Sequence, residues 1–174
     1  MRALLLHRAV QRGATAVEIA VAVAVFGSLL AVAVPAFSRE LHASRLVEPV
    51  QGLERLGAAA IEYAQGRPVA DAFPGSAALT PAVIPRGRLD VEPDSDWETT
   101  TWRALHFRAA PEGAPHAFAF AFDSALSPAS SRFVAHAHGD LDGDGATSTF
   151  EVRGQADPSG AALAPGMYIQ AELE

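Results

Sequence analysis

From Ala14 to Phe37 the chain runs for 24 residues with a single charge, Glu18, and no alternation of polar and apolar positions. As a helix that stretch would span roughly 36 Å, enough to cross a hydrocarbon core of about 30 Å. Beyond Phe37 the pattern changes. Leu41, Leu46, Val50, Leu53, Leu56, Ala60, Ile61 and Ala64 recur at steps of three and four, with Arg45, Glu48, Glu54, Arg55 and Glu62 between them. This predicts an amphipathic helix with one face for a globular head. Pro35 removes a helical hydrogen bond and predicts a kink or local melting there, and Pro49 a second bend. Gly66-Arg67-Pro68 ends the helical pattern.

From Pro68 to about Glu98 the text is rich in proline, glycine and acids without periodicity, so it reads as loop wrapped over the head, with Trp97 and Trp102 demanding burial. Strand signals follow. Ala104–Ala109 alternates, and "HAFAFAFDS" places Phe118, Phe120 and Phe122 on one face with alanines opposite. That stripe reads as a core face packed on the helix. "SRFVAHAHG" is a third strand and "GMYIQAELE" a fourth, with a hairpin of Phe118–Asp123 and Arg132–His138 in the middle of an antiparallel sheet. The expected class is α+β: a long N-terminal helix, apolar in its first half and amphipathic in its second, laid on an antiparallel sheet.

Charge narrows the function. The net charge is −7, and all 13 cations are arginine. Arg2, Arg8 and Arg12 lie before the apolar run, so losing residues 1–13 would take the charge to −10. A body this acidic argues against nucleic-acid binding, which needs a basic face. No cysteine is present, which excludes disulfides and thiolate chemistry. Basic residues before the apolar run predict a cytoplasmic N-terminus and an exported head.

Glu18 is the feature a plain anchor leaves unexplained, because a carboxylate in a membrane helix is costly and is usually paired or functional. Cleavage between Gly13 and Ala14 would create an α-amino group at Ala14, five residues from that acid counted inclusively. The amine of one subunit could pair with Glu18 of the next, a head-to-tail arrangement that builds open filaments.

These residues resemble the N-terminus of type IV pilins and pseudopilins: a basic leader ending in glycine, a glutamate at the fifth residue after the cut, and a proline at the twenty-second. Gly13, Glu18 and Pro35 fall on those places. Ala14 stands where the family usually carries an N-methylated phenylalanine or methionine, which points to a minor, pilin-like member. The resemblance implies the pilin fold, with residues 1–13 a leader removed by prepilin peptidase, 14–37 a transmembrane and assembly segment, 38–65 the amphipathic half of the helix, and 66–174 the head. It implies other pilin or pseudopilin subunits as partners. The subunit would be stored in the bacterial inner membrane, head in the periplasm, before it enters a filament.

"GDLDGDGATSTFEV" holds the remaining chemistry. Asp140, Asp142, Asp144, Ala146 (through its carbonyl), Ser148 and Glu151 follow the oxygen-ligand schedule of a twelve-residue EF-hand-type calcium loop, with Gly145 at the sharp turn. Short carboxylates two residues apart converge only if the backbone curls round a centre, and oxygen ligands favour Ca2+ over zinc or copper. Calcium is then the expected cofactor, closing residues 140–151 without a disulfide. A strand precedes this loop where EF-hands have a helix, and Thr147 replaces an aliphatic residue. His136 and His138 share a strand face without a third ligand in view, and His106 and His116 stand alone. No nucleophile elbow, phosphate loop or zinc-protease motif is present. The reading is a non-enzymatic filament subunit. Alternatives are a type II secretion pseudopilin, and a membrane-tethered calcium-binding domain that never polymerises.

Overall fold

The computed structural model describes residues 14–171, without the side chains of 38, 39 and 41–45. It is a mixed helix and antiparallel-sheet protein of two compact units, residues 1–40 and 41–174. The first helix, α1 (Ala16–Arg45), carries Pro35 inside it, and the expected local melting does not occur. Proline costs one hydrogen bond, to the Ala31 carbonyl, and the helix continues through it to Arg45. The break comes at Leu46, after which α2 (Val47–Ala64) begins. Pro49 explains its place: lacking an N–H, it cannot bond to the Arg45 carbonyl. Gln65 caps α2 with an extended backbone, and Gly66 turns the chain at φ +71°.

Six strands form one antiparallel sheet. They are β1 (Ala77–Thr80), β2 (Phe118–Ala125), β3 (Ser131–Gly139), β4 (Ser148–Asp157), β5 (Gly160–Leu163) and β6 (Tyr168–Gln170). The order is β1-β2-β3-β4-β5. Strand β6 pairs with residues 149–151 of β4 and β5 with residues 154–157, so the two share one edge. The β2–β3 hairpin is flanked on both sides, as the sequence predicts. Phe118, Phe120, Phe122, Phe133, Phe150 and Val152 are buried on the face that packs against α2. From the helix side, Leu53, Leu56 and Ala60 are fully buried. Glycine lets the two surfaces close up: a Cβ on Gly52 would lie 2.5 Å from Cζ of Phe120. The same holds across the sheet, where Gly139 lies opposite Phe118 and Gly154 opposite Phe133. A Cβ there would lie 2.5 Å and 2.3 Å from the respective rings.

The segment expected to be loop also contains β1 and a 3-10 turn at Asp94–Trp97, and both tryptophans are buried. The strand expected at Ala104–Ala109 is absent. Thr99 instead caps a short helix, α3 (Thr100–Ala104), by accepting the Trp102 N–H at 3.3 Å. Leu105, Phe107 and Ala109 do alternate inward, but no strand pairs with them. Trp97, Trp102 and Phe107 pack together with ring centroids 5.4–5.9 Å apart, and the Trp102 indole N–H donates to the Thr80 hydroxyl at 2.9 Å.

Candidate functional site

At the N-terminal end, Gly13 lies outside the described residues; Ala14 and every residue to Phe37 are exposed. Ala16–Phe37 is apolar and long enough to cross a membrane. Glu18 is held by its own chain. The Thr15 N–H and hydroxyl donate to one Glu18 carboxylate oxygen at 2.7 and 2.8 Å, and the Glu18 N–H donates back to the Thr15 hydroxyl at 3.2 Å. This is a capping box, which satisfies donors that the first turn of a helix leaves orphaned. Its signal in the sequence is Thr15-x-x-Glu18, the capping-box spacing.

The loop between β3 and β4 brings three of its six expected ligands together. Carboxylate oxygens of Asp140, Asp142 and Asp144 lie within 4.8 Å of one another. Asp140 is 2 % exposed and organises the turn: its two oxygens accept the Gly143 and Gly145 N–H groups at 2.7 and 3.1 Å. Asp142 and Asp144 are exposed and accept backbone N–H groups two residues ahead. The Arg86 guanidinium stands 4.0 Å from Asp140, and the Gly87 N–H donates to the Asp140 carbonyl at 2.7 Å. The segment before β2 thereby fastens to the loop.

Ser148 and Glu151 do not join them. Strand β4 begins at Ser148, paired with Gly139, and the pleat sends residues 148 and 151 to opposite faces. Ser148 is buried and donates to the Gly139 carbonyl at 3.2 Å. Glu151 lies on the outer face, 2.6 Å from Arg153 and 3.5 Å from His136. The last two positions of the twelve-residue frame, Ser148 and Glu151, therefore do not face the three carboxylates. Ala146 donates its N–H to Asp144 at 2.7 Å. Three carboxylates on a short loop still suit a hard cation such as Ca2+ better than a soft one.

Two polar clusters were not legible. His116, 2 % exposed, sits between acids from two distant segments: Nε2 contacts the Glu92 carboxylate, and Nδ1 lies 3.9 Å from Glu48. Nδ1 also lies 2.9 Å from the Phe118 carbonyl, and Glu48 accepts the Ala117 and Phe118 N–H groups at 3.0–3.1 Å. This fastens the first turn of α2 to the start of β2. On the outer face His136 lies between Asp123 (3.2 Å) and Glu151, stacked on His138 with ring centroids 5.9 Å apart. Burial, then the neighbouring His136, holds the His138 pKa below its ordinary value.

Comparison with family models, with curated proteins and with solved structures finds no match for this chain.

Proposed function

We propose that the chain is a non-enzymatic subunit of a type IV pilus-like filament, with a pilin-type arrangement of helix and sheet. One observation carries the reading: a helix whose segment from Ala16 to Phe37 exposes apolar side chains all round, with Glu18 as its one charge. A helix of that kind needs lipid or other helices as its solvent. Cleavage by prepilin peptidase after Gly13 would free the Ala14 amine to pair with Glu18 of a neighbour. The Thr15–Glu18 capping box would serve the subunit while it waits in the inner membrane, since a carboxylate already bonded costs less to keep in lipid. Calcium at Asp140, Asp142 and Asp144 would steady the β3–β4 loop. A type II secretion pseudopilin shares all this chemistry and remains the second reading. A membrane-tethered calcium-binding domain that does not polymerise is the third.

Two measurements test the proposal. Mass spectrometry of the mature protein should place its N-terminus at Ala14; a terminus at Met1 or beyond Phe37 would overturn it. Glu18→Ala should leave membrane insertion intact and abolish incorporation into filaments. Normal incorporation would remove the pairing mechanism.

A further inference from the structure

The outer face of the sheet carries a groove of about 430 Å³ between β3, β4 and the turn after β5. Its walls include Arg132, Val134, Arg153 and Pro165. Leu163 pairs with Gly154 and turns its side chain to the other face, toward Gly57 of α2, so the apolar side chains of the groove are Val134 and Pro165 with Ala162 and Ala164. Arg132 has no carboxylate within ion-pair distance among the described residues, and Arg153 uses one nitrogen on Glu151, leaving further N–H groups to donate. In a chain of net charge −7 this is an arginine-flanked apolar site, suited to an acidic and apolar segment.

The same head displays such a segment. Between Leu89 and Glu98 the backbone is pinned at two points. Asp90 exchanges backbone hydrogen bonds with His116 at 2.9 and 3.0 Å, and Trp97 is buried. Between and beside these anchors Leu89 and Val91 stand 47 % and 51 % exposed, and Asp96 and Glu98 are exposed. Neither acid has a cation within ion-pair distance among the described residues, whereas Asp94 is paired with Arg108. Pinning lowers the entropy lost on docking. The two patches also lie at opposite ends of β3. The groove is at Arg132–Val134, whereas the segment fastens through Asp90 to His116, and the residues just before it, Arg86 and Gly87, to Asp140 beyond the other end.

We propose that the groove receives the Leu89–Glu98 segment of a second copy of this chain, with Arg132 and Arg153 facing Asp96 and Glu98, and Leu89 and Val91 over Val134 and Pro165. Unlike patches at opposite ends make a heterologous contact, which runs on as an open filament unless its rotation closes a ring. The identity of the partner rests on the filament reading; the chemistry of the contact does not.

The test is sedimentation equilibrium of the full chain in detergent micelles. Reversing the groove (Arg132→Glu with Arg153→Glu) and reversing the segment (Asp96→Arg with Glu98→Arg) should each weaken self-association about tenfold or more. Combining all four should restore it to within about threefold, because the pairs are re-formed with opposite sign. A monomeric wild type, reversals without effect, or a fourfold variant no better than either pair overturns the proposal. Glu18→Ala in parallel separates the two ideas. If Glu18→Ala leaves association unchanged in protein cleaved after Gly13, where the Ala14 amine is free, pairing through α1 fails while the groove result stands on its own.

Discussion

Helices α1 and α2 draw on the same small set of residues, chiefly alanine, valine, leucine and glutamate, yet they meet opposite surroundings. In α2 the apolar positions recur on one stripe, and Leu53, Leu56 and Ala60 are wholly buried against the sheet. In α1 the apolar positions go all the way round, and Val21, Val25, Leu29 and Leu30 are each more than half exposed. Composition alone does not separate the two. Spacing does: a stripe needs one dry side, whereas an unbroken apolar surface needs a dry solvent.

The largest effect that can break this comparison is truncation of one leucine in each helix. Leu56→Ala should lower the unfolding free energy of the head by about 2–5 kcal/mol. Leu30→Ala should change it by less than about 0.5 kcal/mol. Urea melts of the full chain in detergent, followed by the fluorescence of buried Trp97 and Trp102, would decide. Equal losses would show that α1 is part of the head's folding unit. A smaller effect sharpens the account of the acidic loop. Asp140→Ala removes the acceptor of two backbone N–H groups and should cost about 1–3 kcal/mol even without calcium. Asp142→Asn should leave the calcium-free melting temperature nearly unchanged and abolish any upward shift on adding calcium. If millimolar calcium does not move the wild-type melting temperature, the ion leaves the account and Asp140 keeps only its role in the turn. The smallest effect is acid sensitivity on the outer face. The folded-state pKa of His138 lies below its ordinary 6.5, so the fold prefers the neutral ring. Its contribution is present above pH 6.5 and is lost as pH falls below that value. His138→Gln should flatten this part of the stability profile, and an unchanged slope would assign it to other groups.

Much of the architecture was legible because it is written in local periods. The three- and four-residue steps from Leu46 to Ala64 mark α2, and the alternation of Phe118, Phe120 and Phe122 marks β2. Ser148 and Glu151 parted from the calcium frame for a related reason. Residues 148–152 satisfy two patterns at once, the end of a ligand schedule and the inward alternation of Ser148, Phe150 and Val152. Only pairing with β3, a long-range event, chooses between them. Leu105, Phe107 and Ala109 show the converse, correct alternation without a partner strand. The grouping of Glu48, Glu92 and His116 left no local trace, since its members come from α2, from the loop before α3 and from the approach to β2.

The three phenylalanine rings that lie over glycines have a further consequence. Gly139 under Phe118, Gly154 under Phe133 and Gly52 under Phe120 are the places where those rings avoid a Cβ clash. Sliding β3 by two residues along β2 would keep every apolar side chain inward, so hydrophobicity alone would not resist it. The slide would, however, take Phe118 off Gly139, the one inward-facing position of β3 without a Cβ, over which its ring now lies. The two cross-strand pairs thus act as keys in keyways: a missing side chain on one strand marks the alignment its neighbour accepts, and the sheet proofreads its own assembly by shape.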